Sequence, residues 1–150
     1  MAYFAQIDDN NIVLTVNKIA NEDCLDGDGN ESEAVGVAFC KTLWGNDTNW
    51  KQSSFNSLGG KHYVNGDYSV ESGEDAFRVN YAQPGYIYDS SLDAFKPPLD
   101  FPSWKRDSTT LWTEAPVAYP VDSEGDPIPG YYWDEDSYQA DNTKGWILKE

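Results

Sequence analysis

The chain has 150 residues, enough for one domain or a small domain with an extended appendage, and 39% of them are hydrophobic. Rings make up 15% and Met occurs once, which favours sheets and aromatic clusters over a helical bundle. A formal charge of -16, from 26 acidic and 10 basic residues, repels phosphate backbones and anionic lipid, so neither nucleic acid nor a membrane is an expected partner.

No basic region followed by an apolar core opens the chain, so no secretory leader is expected, and no apolar run is long enough for a spanning helix. Residues 3–7 and 12–19 read as a β-hairpin around Asp8-Asp9-Asn10-Asn11, with Ile12, Leu14 and Val16 on one face. Asn30 and Glu33 have capping-box spacing for one short helix over about 31–44, with Val35, Phe39 and Leu43 as its apolar stripe. Gly45 stands where a left-handed residue would stop that helix, and Gly36 weakens it. Residues 50–55 suggest a strand and 56–74 a long loop holding a small hairpin at Asn65-Gly66. An extended pattern resumes at 77–81.

From Pro84 onward come all eight prolines, which exclude long regular helices there. Three aromatic hairpins are expected instead. The first pairs Tyr86-Ile87-Tyr88 with 94–96, the second pairs Ser103-Trp104-Lys105 with Leu111-Trp112-Thr113, and the third pairs Tyr131-Tyr132-Trp133 with Gly145-Trp146-Ile147. Such ladders are marginal alone, and cross-strand rings add only about 0.2–1 kcal/mol each, so they want a neighbour to lie on. The expected fold is therefore mainly β: a small β-rich domain with one short helix over 1–82, then a proline-rich region of aromatic hairpins and extended arms over 83–150. Tyr86, Tyr88, Phe95, Trp104, Trp112 and Tyr119 are the candidate partner-interface residues.

Catalytic and metal signals are weak. Asp26, Gly27, Asn30 and Glu33 fall in a calcium-loop register, but the early positions hold Glu22 and Cys24, so a solvated acidic loop is expected and no metal. His62, the only histidine, lies in a glycine-rich stretch without a nucleophile pattern or a cysteine partner. Acid pairs such as Glu135 and Asp136 arise readily in so acidic a chain, so no hydrolase is inferred. Cys24 and Cys40 are expected as reduced, partly buried thiols. No enzyme activity and no cofactor are expected.

The segments "FAQIDDNNIVLTV", "NWKQSSFN", "NYAQPGYIYDSSLDAFKPP", "FPSW", "LWTEAPVAYP" and "YYWDED" occur in this order. Together they resemble a family of small virion-associated proteins of tailed bacteriophages, especially those infecting marine cyanobacteria. Two stretches depart from that pattern by being longer, residues 62–76 and the loop between Asp134 and Trp146. The resemblance carries no catalytic motif. It implies a structural component of the virion, assembled in the host cytoplasm, whose partners are other capsid or tail proteins and which is oligomeric on the particle. Within that class the expectation is an outer-surface accessory protein such as a capsid decoration protein, with a neck, tail or fibre-attachment component as the alternative. A carbohydrate-binding module using exposed Trp and Tyr is the alternative from another class.

Overall fold

The computed structural model describes residues 1–150 and separates into two compact units. One is Met1–Pro98 with Ser108–Trp112, and the other is Leu99–Asp107 with Thr113–Glu150. As the sequence predicts, the fold is mainly β, with small antiparallel sheets and one helix longer than two turns. No helix is long and apolar enough to cross a membrane.

Strands β1 (Ala2–Ile7) and β2 (Val13–Ile19) form the expected hairpin. Its register runs from Gln6↔Thr15 to Ile7↔Val13, so Leu14 is an extra residue in a bulge. That bulge inverts the expected face: Val13 is 1% exposed and Leu14 52%, because one inserted residue moves Val13 onto the side of Val16.

The turn before β2 recurs twice. Asp8 Oδ1 accepts the N–H groups of Asn10 and Ile12, Asp26 Oδ1 those of Asp28 and Asn30, and Asp122 Oδ1 those of Glu124 and Asp126. The fourth residue of each turn has positive φ, at Asn11 (63°), Gly29 (81°) and Gly125 (90°). Asp followed three residues later by Asn or Gly is thus a turn code, and some of the acidity serves backbone hydrogen bonding. The carboxylate of Asp26 is engaged in this way, and no group of three or more His, Cys, Asp or Glu side chains is placed to hold a metal.

A short 3-10 turn (Asn21–Cys24) leads to helix α1 (Glu33–Trp44). Its N-cap is Ser32, whose hydroxyl accepts the Val35 N–H at 3.4 Å, and not the expected Asn30. Gly45 ends it at φ 117° and ψ 143°, outside the left-handed helical well. The inward face also differs from the expected stripe: Gly36 and Cys40 are buried while Leu43 is 55% exposed. The cause is Phe4, fully buried in β1, whose ring lies on the helix backbone so closely that a Cβ at Gly36 would stand 2.1 Å from Cζ. Cys24 and Cys40 are free and fully buried in the same cluster, with Ala2, Ile19 and Trp50.

Strand β3 (Asn49–Ser53) joins the free edge of β1, giving the order β2-β1-β3. The expected loop over 56–74 is instead a second sheet, β4 (Ser57–Leu58), β5 (Lys61–Val64) and β6 (Asp67–Asp75), with the anticipated hairpin at Asn65-Gly66. Both turn residues have positive φ, 54° and 72°, as a two-residue hairpin requires. Residues 77–81 are not extended: Arg78 and Val79 occupy left-handed conformations at φ 55° and 65°.

Strands β7 (Ile87–Asp89) and β8 (Ala94–Lys96) form the first aromatic hairpin, with the first strand one residue further along than expected and Tyr88 opposite Phe95. It packs on the second face of the β1 sheet, where Ala5, Ile7, Val13, Ala82, Tyr88 and Phe95 make one cluster. The first unit therefore runs through Pro98 instead of dividing at 82/83.

The second unit contains three small elements of structure. The expected Trp104/Trp112 hairpin shrinks to β9 (Lys105–Arg106) paired with β10 (Thr113–Glu114). Trp104 and Trp112 flank this ladder and fall in different units. The third hairpin forms, from β11 (Tyr131–Trp133) and β12 (Trp146–Leu148), its second strand one residue further along than expected, and its loop holds α2 (Glu135–Ala140), capped by Asp134.

Candidate binding surfaces

The structure sorts the six expected interface residues into three kinds. Tyr88 (6% exposed) and Phe95 (0%) are core residues, so the reading of them as partner contacts is corrected. Rings in a three-residue ladder cannot all face outward when the hairpin must itself bury a face on β1. Tyr86 is half-buried against the same cluster, and Tyr119 is half-buried with its hydroxyl donating to the Ile128 carbonyl at 2.8 Å. Trp104 is half-buried, with an indole N–H that finds no acceptor. Trp112 is 42% exposed, but its ring lies over Gly59 and its Nε1 donates to Asn80 Oδ1 at 3.2 Å.

Two polar centres that the sequence reading did not single out hold the first unit together. Asn80, 1% exposed, uses all its side-chain capacity. Its Oδ1 accepts from the Gly59 N–H and Trp112 Nε1, and its Nδ2 donates to the carbonyls of Phe95 and Thr110. Arg78, with 7% of its side chain exposed, donates to both Glu33 oxygens, to Asp93 and to the Gln52 carbonyl. Its guanidinium also lies between the rings of Phe77 and Tyr88, at 4.9 and 5.3 Å. Burial pushes Glu33 up, but the bonds from Arg78 and the Gln52 N–H outweigh it and hold the carboxyl below its usual value. Burial and the bond to Asp93 push Tyr88 up to about 12.

The exposed surface of the first unit carries a ring array. Tyr3 stacks on Phe55 at 5.6 Å, Tyr81 meets both edge-on, and Tyr68 leans on Phe55 and Tyr63. Gly66 lets the β5–β6 turn close over Phe55, where a Cβ would stand 2.1 Å from the ring. Beside this array opens a cleft of about 570 Å³, walled by Tyr3, Phe55 and Phe77 and floored by polar side chains. The array is hidden in the sequence because its members come from β1, β5, β6 and the separate connecting segments that hold Phe55 and Tyr81.

The second unit is built on rings. Trp104, Trp133 and Trp146 contact one another, and Phe101, Tyr119 and Tyr138 extend the group. Glu135 accepts from Trp133 Nε1 and the Ser103 hydroxyl, which hold its carboxyl below the usual value. On the other face of the β11–β12 ladder, Tyr132 pairs with Ile147 and is 47% exposed.

His62 lies in β5 and not in a loop. Its Nδ1 meets the Ser72 hydroxyl at 2.7 Å and Glu74 at 3.8 Å, so both neighbours fall on one nitrogen and no relay passes through the ring. No protein-family model, curated protein or solved structure matches the chain.

Proposed function

We propose that the protein is a non-enzymatic structural component of a tailed-phage particle, an accessory protein on its outer surface of the capsid-decoration kind. The observation supporting this reading is how thinly the second unit is built. Trp133 is its one buried hydrophobic residue of the core, and each of its sheets has only two strands. Ladders of that size are marginal alone, so a unit made of them gains most by lying on a larger partner surface. Exposed hydrophobic side chains such as Tyr132, Val121 and Leu148 suit anchors, while the acids remain in water. The sequence resemblance to virion-associated proteins agrees with this reading.

A cryo-EM map of purified particles tests it. Density for the chain on the outer capsid lattice supports the decoration role, and density confined to the neck, tail or fibres moves the protein to that site. Absence of the chain from purified particles by mass spectrometry overturns the virion reading.

A further inference from the structure

We infer that the cleft beside the ring array of the first unit is a binding site for a neutral sugar. Its volume of about 570 Å³ lies in the range of ligand sites and admits one or two pyranose rings. The lining side chains include no Lys, Arg or His, and Glu31 is their one carboxylate, so a phosphate, sulfate or sialate group finds no basic side chain there. What it offers is three rings, Tyr3, Phe55 and Phe77, together with the planar amides of Gln52, Asn56 and Asn65. Phe77 is 41% exposed and carries the Arg78 guanidinium on one face, so a ligand meets its other face. Pyranoses present an apolar C–H face to a ring and hydroxyls at their rim to amides, which matches this division.

The polar groups are held before a ligand arrives. Gln52 Nε2 is bonded to Glu31, which fixes the amide. Asn56 Oδ1 accepts the Gly66 N–H at 2.7 Å, and the Asn56 N–H is bonded to the Ser54 hydroxyl at 3.2 Å. With its oxygen so engaged, Asn56 keeps its NH2 group as the donor it can offer a ligand. Groups already ordered lose little entropy on binding. This site uses neither Trp104, which sits in the ring group of the second unit, nor Trp112, which is tied to Asn80.

The test is saturation-transfer NMR on the full chain with neutral oligosaccharides of glucose, galactose, mannose and N-acetylglucosamine, and with sialyllactose as the anionic probe. Transfer to ring C–H protons of at least one neutral sugar is expected, with weaker or no transfer to sialyllactose. Phe77→Ala should weaken binding by about tenfold or more, and Phe77→Tyr should retain it. Asn56→Asp keeps the acceptor for Gly66, removes the NH2 donors and adds a carboxylate. It should weaken binding at least about fivefold with an unchanged amide spectrum elsewhere. No transfer from any neutral sugar at about 10 mM, or binding indifferent to both Phe77→Ala and Asn56→Asp, overturns the assignment.

Discussion

Arg78 forks onto Glu33 across 45 residues of sequence, with Nη1–Oε1 and Nη2–Oε2 distances of 2.6 and 2.9 Å. One end of this pair opens helix α1 and the other sits in a left-handed turn, so the bond joins two segments that no strand pairing connects. Arg78→Ala should destabilise the protein by about 2–3 kcal/mol in urea unfolding, below the largest values for buried pairs because Asp93 and Glu33 remain partly exposed.

The same pair sets an acid limit. Glu33 and Asp93 both have depressed carboxyl pKa values, Asp93 through the Tyr88 hydroxyl and Arg78 against the opposing effect of burial. A depressed carboxyl stabilises the fold above its unfolded value, and that contribution is lost as pH falls through the folded one. Urea midpoints should therefore be level above about pH 5 and fall below it. Glu33→Gln should lower the plateau and flatten the fall. An unchanged slope in that variant would assign the acid sensitivity elsewhere.

Asn80→Asp removes the two N–H donors that meet the carbonyls of Phe95 and Thr110. With a carboxylate also buried, the expected loss is about 3 kcal/mol or more at neutral pH. Amide exchange should rise first around Gly59 and over 108–112, the segments this side chain ties together.

Gly36→Ala separates helix propensity from packing. Propensity favours Ala by about 1 kcal/mol, but the new Cβ would stand 2.1 Å from Phe4 Cζ, and the Phe4 ring is fully buried. A net loss of about 1–3 kcal/mol is expected. Stabilisation would mean that the ring has room to move.

Cys24 and Cys40 should resist thiol reagents in the native state. Burial raises both thiols, Cys40 to about 11, and neither side chain reaches solvent. Labelling should follow global unfolding in urea, with both thiols reacting together.

Stability and attachment should part company between Phe95 and Tyr132. Phe95→Ala is expected to cost about 3–5 kcal/mol of stability, as befits a fully buried ring. Tyr132→Ala, at a 47% exposed position, should change stability by less than about 0.5 kcal/mol. If Tyr132 anchors the partner, its loss should weaken particle binding by about 2 kcal/mol, roughly 30-fold, while Glu124→Ala leaves binding intact. Measuring both variants by unfolding and by rebinding to stripped particles distinguishes the two roles.

Short-range chemistry determined the N-terminal hairpin, the one long helix and several of the turns, but not the sheet over 57–75 or the left-handed turn at Arg78 and Val79. Asp with Asn or Gly three residues on closes the turns after Asp8, Asp26 and Asp122, Asn65-Gly66 makes a hairpin, and Ile87–Asp89 pairs locally with 94–96. These outcomes depend on groups only a few residues apart, so they are legible without the fold. Facing was decided by tertiary structure: which side of β2 is buried, why α1 turns Gly36 and Cys40 inward, and why Tyr88 and Phe95 are core while Phe55 and Phe77 border a cleft. Each depends on an encounter between distant segments, Phe4 with Gly36, Arg78 with Glu33, or Asn80 with Trp112. A ring carries the same hydrophobic drive wherever it stands in sequence, and only the surface it meets decides whether it fills a core or borders a cleft.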